Sequence, residues 1–138
     1  MTNESIDAKD LLEAISSNPG NKFKYNKRRV VFIICPDPFE NPQKQMEYLK
    51  YGFRAAADAG RKQESPLLCY SFKLGMYGFT QFTNRIGPFH EKELFDMQVS
   101  QMLRCNYIAV YGNEYTESMQ RLINVASATI PRIDYRTV

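Results

Sequence analysis

The chain has no tryptophan and only one histidine, His90, in 138 residues. A single imidazole excludes any site that needs two, metal centre or otherwise. Cysteine is scarce too. Cys35, Cys69 and Cys105 are odd in number and widely spaced, with no CxxC pair and no metal-ligand spacing. Each lies in or at the end of an apolar run and is expected as a buried thiol. No metal and no cofactor are expected. Long apolar runs are also missing. The longest, Val30 to Cys35, is far too short to span a bilayer. The opening "MTNESIDAKD" is acidic and polar, unlike a signal peptide. The expectation is a soluble cytoplasmic protein with no membrane partner.

What is present suits one domain with one core. The net charge of +3 is too small to argue for nucleic acid. One cluster is denser: "NKFKYNKRR" interleaves the basic residues from Lys22 to Arg29 with Phe23 and Tyr25. Such a pattern can grip phosphates while rings stack on bases. A solvated basic loop leading into a strand is the stronger expectation.

Residues 5–16 read as a short helix capped by Ser5 and closed by "SNPGNK". Residues 1–29 thus form an N-terminal helix and basic lead-in, and 30–138 the main α/β domain. "RVVFII" is a continuous β-branched run, the pattern of a strand buried on both faces. "CPDPFENP" follows as a rigid loop, with Asn41 capping a helix that has Pro42 in its first turn. Met46, Leu49, Phe53 and Ala56 recur at helical spacing as its core face, and Gly60 is read as its left-handed end. "PLLCYSF" reads as a second strand. The next loop, "KLGMYGFTQFTNRIGPFHEK", is rich in glycine and aromatics, and its apolar side chains suggest burial against another chain. A helix over about Glu91 to Leu103 places Phe95, Val99 and Met102 on one stripe. "YIAVYG" is a third buried strand. Thr116 caps a helix whose core row is Met119, Ile123 and Ala126, and "RIDY" is the last strand.

Strands alternating with helices imply βαβ crossovers and a parallel sheet. The expectation is a doubly wound, Rossmann- or flavodoxin-like sheet of about four to five strands, order 2-1-3-4, with helices on both faces. A ligand then belongs beyond the carboxyl ends of the first and third strands, where the order reverses. The loops there supply Cys35, Pro36, Asp37 and Phe39 on one side. Tyr111, Gly112, Asn113, Glu114, Thr116, Ser118 and Met119 lie on the other. Both loops enter helices, so free N–H groups face the crevice. Their acids, Asp37, Glu40, Glu114 and Glu117, suit sugar hydroxyls, a base edge or an amine better than a bare polyphosphate. For Asp37, Glu40 and Glu117 a plain capping role weighs as much.

At these residues the chain resembles the nucleoside 2-deoxyribosyltransferase-like superfamily, in particular small members common in bacteria and their phages. The matching pieces are "IICPDPFENP", "QMLRCN", "YIAVYG", "TESM" and "ATIP", spread over roughly Val30 to Tyr135. The resemblance implies a nucleoside- or nucleotide-sized crevice, assembly into a homodimer or larger, and the host cytoplasm as location if the chain is phage-borne. Enzymes of the family place a nucleophilic glutamate three residues after the methionine of the "TESM" match. There the carboxylate stabilises a cation-like sugar carbon or traps it as an ester. In this chain that position is Leu122, which can do neither. A second acidic position of the family matches Asn106. Glu117 lies five residues before Leu122, about 140° round the helix.

Two functions are therefore expected in competition. One is a non-catalytic nucleoside or nucleotide binder with a degenerate crevice. The other is a diverged N-glycosidase or deoxyribosyltransferase acting on nucleosides or their monophosphates. In the second, Asp37 or Glu117 replaces the nucleophile, and Tyr111 or His90 orients or protonates the leaving base. Nucleic-acid binding through the basic cluster is a weaker third, marked by steep salt dependence.

Overall fold

A computed structural model describes residues 8–9, 28–75 and 91–138. Most of the expected N-terminal helix, the basic residues 22–27, the loop 76–90 and with it His90 lie outside the described residues.

The order is β1 (Val30–Ile34), a 3-10 turn (Pro42–Lys44), α1 (Gln45–Arg61), β2 (Ser65–Leu68), α2 (Glu91–Met102), β3 (Tyr107–Tyr111), α3 (Glu117–Thr129) and β4 (Ile133–Arg136). The four strands form one sheet in the order β2-β1-β3-β4, and every pair is parallel. β1 sits at the centre because it is apolar on both faces. Val31, Phe32, Ile33 and Ile34 are all at 0% exposure, and burial of each contributes about 1.5–3 kcal/mol. Moving from β1 to β2 and from β3 to β4 goes opposite ways across the sheet. Right-handed crossovers then put α1 on one face and α3 on the other. α2 joins α3, and α1 lies against β2 and β1. No helix among the described residues is long and apolar enough to cross a membrane.

The first helix corrects the sequence reading. Its core face is Tyr48, Tyr51, Gly52, Ala55 and Ala59, whereas Met46 and Phe53 are 64% and 61% exposed. Small residues face inward because the helix lies close on the sheet. A Cβ on Gly52 would stand 2.0 Å from the Tyr70 hydroxyl oxygen. Gly60 does not end the helix. α1 runs on to Arg61, and the left-handed residue is Gln63, with φ 61°. Gln63 N–H donates to Gly60 O (3.0 Å) and Glu64 N–H to Ala59 O (3.1 Å), the paired bonds of a Schellman end.

β2 is shorter than "PLLCYSF". It stops at Leu68, Cys69 and Tyr70 turn, and residues 71–75 are helical. It is an edge strand, and Cys69 N–H makes one last bond to Ile33 O (2.9 Å). The α2 stripe holds, with Met102 buried and Phe95 and Val99 packed against the core. Met119, Leu122, Ile123 and Ala126 are the buried row of α3.

Asn106 starts the β1–β3 ladder at the amino end of the strands. Its N–H donates to Val30 O (2.9 Å), and its side-chain oxygen accepts from Val30 N–H (2.8 Å). It therefore lies at the end of the sheet opposite the crevice.

Candidate functional site

The carboxyl ends of β1 and β3 open onto a cleft of about 430 Å³, within the size range of small-molecule sites. Pro36 forms its floor beyond β1. Asn113 and Glu114 form the wall beyond β3, Val138 closes the side beyond β4, and Lys44, Glu47, Tyr48, Tyr51 and Arg54 form the wall from the start of α1. The expected loops thus contribute Pro36, Asn113 and Glu114. The helix wall is the part that sequence reasoning missed. Its signal was present, since residues 44, 47, 48, 51 and 54 share one helical face. Val138 has no local signal.

The cleft wall is ordered by its own contacts. Tyr48 donates its hydroxyl to Glu114 Oε1 (2.9 Å), and Lys44 Nζ lies 3.6 Å from the same oxygen. Burial, then the bond to Glu114, pushes the Tyr48 hydroxyl up to about 12, so it stays a proton donor. Lys44 sits 5.9 Å from the Tyr48 ring centre and Arg54 5.7 Å from that of Tyr51, each within reach of a cation–π contact. The Tyr51 hydroxyl is buried beside the Val138 backbone without the geometry of a hydrogen bond, and burial raises its pKa. Lys44 is matched by Glu114, whereas Arg54 forms no ion pair with any described residue. The wall therefore presents a held carboxylate, a cation and the edges of two buried rings.

Most other expected site residues are occupied in holding the loops. Asp37 is 2% exposed. One of its oxygens accepts Phe39 N–H (2.8 Å), and the other pairs with the Lys73 ammonium. That leaves Asp37 a brace rather than an open carboxylate. Glu40 spans the crevice, taking Ser118 N–H (3.1 Å) and the Ser118 hydroxyl (2.7 Å). The amino end of α3 is thus filled by the chain's own anion. Thr116 caps that helix by accepting Met119 N–H (3.4 Å). Glu117 is exposed in its first turn, outside the cleft wall. Gly112 has no room for a side chain, since a Cβ would stand 2.9 Å from Glu114 O and 3.1 Å from the buried Met119. Cys35 is buried next to the cleft floor.

Tyr111 faces away from the cleft into a polar cluster. Its hydroxyl donates to Asp58 Oδ2 (2.6 Å) and accepts from Arg136 Nη1 (3.1 Å). Arg136 holds Glu64 through both nitrogens (2.6 and 2.8 Å), and Tyr107 donates to the same carboxylate. Burial and the bond to Asp58 push Tyr111 up to about 12. The Glu64 carboxylate is the main cause that raises Arg136. This cluster ties the edge strand β4 to the loop before β2. Tyr111 does not line the cleft.

The thiols give a direct check on the floor. Cys69 Sγ lies 3.5 Å from Cys35 O, and the neighbouring Cys69 thiol and burial both raise Cys35. Cys105 is only half-buried. Because the thiolate is the reactive form, a chromogenic thiol reagent on native protein is expected to modify Cys105 first. Cys35 and Cys69 should react only on unfolding. Rapid loss of the Cys35 thiol in folded protein, located by peptide mapping, would show an open floor.

No group of three or more His, Cys, Asp or Glu among the described residues is placed to hold a metal ion. Comparison of the chain with protein-family models, curated proteins and solved structures finds no match.

Proposed function

We propose that the protein binds a nucleoside- or nucleotide-sized ligand in this cleft and does not catalyse base release. The cleft itself carries the reading, because it lies where the strand order reverses and is lined by Tyr48, Tyr51, Glu114 and Arg54. A carboxylate can accept from sugar hydroxyls, the cation of Arg54 suits an anionic group such as a monophosphate, and the tyrosine rings, 5% and 9% exposed, give a base a narrow apolar edge. The position matched to the family nucleophile, Leu122, is 2% exposed among core side chains.

The test is thermal unfolding with a panel of nucleosides and nucleoside monophosphates, together with chromatography for free base. A true ligand at about 100 times its Kd stabilises by about 2.7 kcal/mol, which raises Tm by about 5–10 °C. Arg54→Met should shrink that rise most for the monophosphates. No rise with any member of the panel overturns the reading.

A second reading, a diverged N-glycosidase or deoxyribosyltransferase with a relocated carboxylate, is favoured by one observation. Glu47 and Glu114 both stand in the cleft wall. Base release by the wild type that Glu114→Gln abolishes would establish it.

A further inference from the structure

The charges of the cleft wall sort into a matched pair and an unmatched one. Glu114 is held by Tyr48 and lies 3.6 Å from Lys44. Glu47 and Arg54 line the same cleft. Glu47 makes no hydrogen bond or ion pair with any described residue, and Arg54 makes no ion pair. Tyr51 lies between them along the helix. It is nine-tenths buried, and its hydroxyl has no hydrogen-bond partner among the described residues. A buried hydroxyl left in that state costs free energy that an occupant of the cleft can offset.

Glu47, Tyr51 and Arg54 follow one another on α1 at spacings of four and three. They fall within about 60° of one another round the axis, so they form one stripe. At about 1.5 Å per residue, Glu47 and Arg54 are about 10 Å apart along the helix. An α-amino acid, whose charges sit on one carbon, does not span that distance. An inorganic anion would meet Arg54 alone. A nucleoside monophosphate fits, because its base edge and its phosphate stand at opposite ends of the sugar.

The two ends also fix which base. Arg54 carries only donors and takes the phosphate. A carboxylate is an acceptor only, so the base edge at Glu47 has to offer donors. Guanine presents two adjacent donors, N1–H and the N2 amino group, which match the two carboxylate oxygens as a bidentate, charge-assisted pair. Adenine and cytosine present one amino group beside a ring nitrogen whose lone pair faces the second oxygen. Uracil sets N3–H between two carbonyls. Hypoxanthine keeps N1–H and lacks the amino group.

We propose that the cleft selects guanine among the bases, with Glu47 accepting from N1–H and the N2 amino group while Arg54 takes the phosphate. The proposal rests on the nucleotide reading above and adds the base to it. Glu47 is the specificity-determining residue.

Isothermal titration calorimetry of the full chain with GMP, IMP, AMP, CMP and UMP makes the test. GMP should bind more tightly than each of the others by about tenfold or more, the worth of one charge-assisted hydrogen bond. Glu47→Gln exchanges two acceptors for one acceptor and one donor, the pattern that fits adenine. Glu47 is exposed, so the variant should keep the wild-type Tm. It should lose GMP affinity by about tenfold or more and bind AMP more tightly than the wild type does. Equal affinities for GMP and IMP overturn the proposal and leave the nucleotide reading standing. So does a GMP preference that survives Glu47→Gln. Binding of none of the five monophosphates overturns both.

Discussion

Leu122→Glu is expected to unfold the protein rather than to supply a nucleophile. Leu122 is 2% exposed in the buried row of α3 with Met119, Ile123 and Ala126. Loss of the leucine contacts alone costs about 2–5 kcal/mol. A carboxylate placed there without a partner adds desolvation, which the group limits by taking up a proton. The sum approaches the whole stability of a domain, about 5–15 kcal/mol. The sign of the pH dependence is also fixed. A buried carboxyl has its folded pKa raised above the unfolded value of about 4.3, so above that pH the folded state binds more protons than the unfolded one. The variant therefore loses stability as pH rises from about 4.3 through the folded pKa, and is best preserved in acid. Leu122→Met, which keeps volume and polarity, should cost less than about 1.5 kcal/mol. Urea titrations of both variants at two pH values make the check. A soluble Leu122→Glu protein with wild-type stability would place the side chain at the crevice and revive the catalytic reading.

Gly52→Ala should destabilise the protein although it replaces a poor helix former by the best one. On propensity alone the change gains about 1 kcal/mol within a helix. The new methyl group, however, would stand 2.0 Å from the Tyr70 hydroxyl oxygen and 3.1 Å from its ring carbon. Tyr70 is at 0% exposure and has little room to retreat. Overpacking of this kind costs about 1–3 kcal/mol or more, so the overlap wins. The Tyr70 hydroxyl has no hydrogen-bond partner among the described residues, which makes Tyr70→Phe close to neutral. The double variant removes the closest overlap and should recover most of the loss. A double-mutant cycle by chemical unfolding should show coupling of about 1–3 kcal/mol between the two sites. Additive effects would mean that α1 lies further from Tyr70 than this packing requires.

The candidate site was legible where it is built from chain that follows a strand. Pro36, Asn113 and Glu114 were found because a parallel sheet with this order must open beyond β1 and β3. Tyr111 was expected at the crevice, but its place at a strand end says nothing about which face its ring takes, and its hydroxyl meets Asp58 and Arg136 instead. Asp37 and Glu40 follow β1, where the sequence reading set them, but their partners are remote. Glu40 meets Ser118 across 78 residues and Asp37 meets Lys73 across 36. No local pattern announces pairs at such separations, so the difference between an open carboxylate and a braced one was invisible.

The four strands, their parallel order and the end of the sheet where a cleft opens were determined by the sequence itself. The apolar runs of β1 and β3 bury on both faces, and right-handed crossovers leave few ways to connect the strands. Tertiary structure alone decided which side of α1 is inside. In α1 the Met46–Phe53 stripe has the stronger apolar signal, yet Gly52, Ala55 and Ala59 take the core because the sheet admits the helix only at close range. The same contact turns Tyr48 and Tyr51 into the cleft wall and leaves the larger apolar residues to solvent. Hydrophobicity is a property of each side chain, but the depth available beneath a helix is set by the strands and by Tyr70, which come from other parts of the chain.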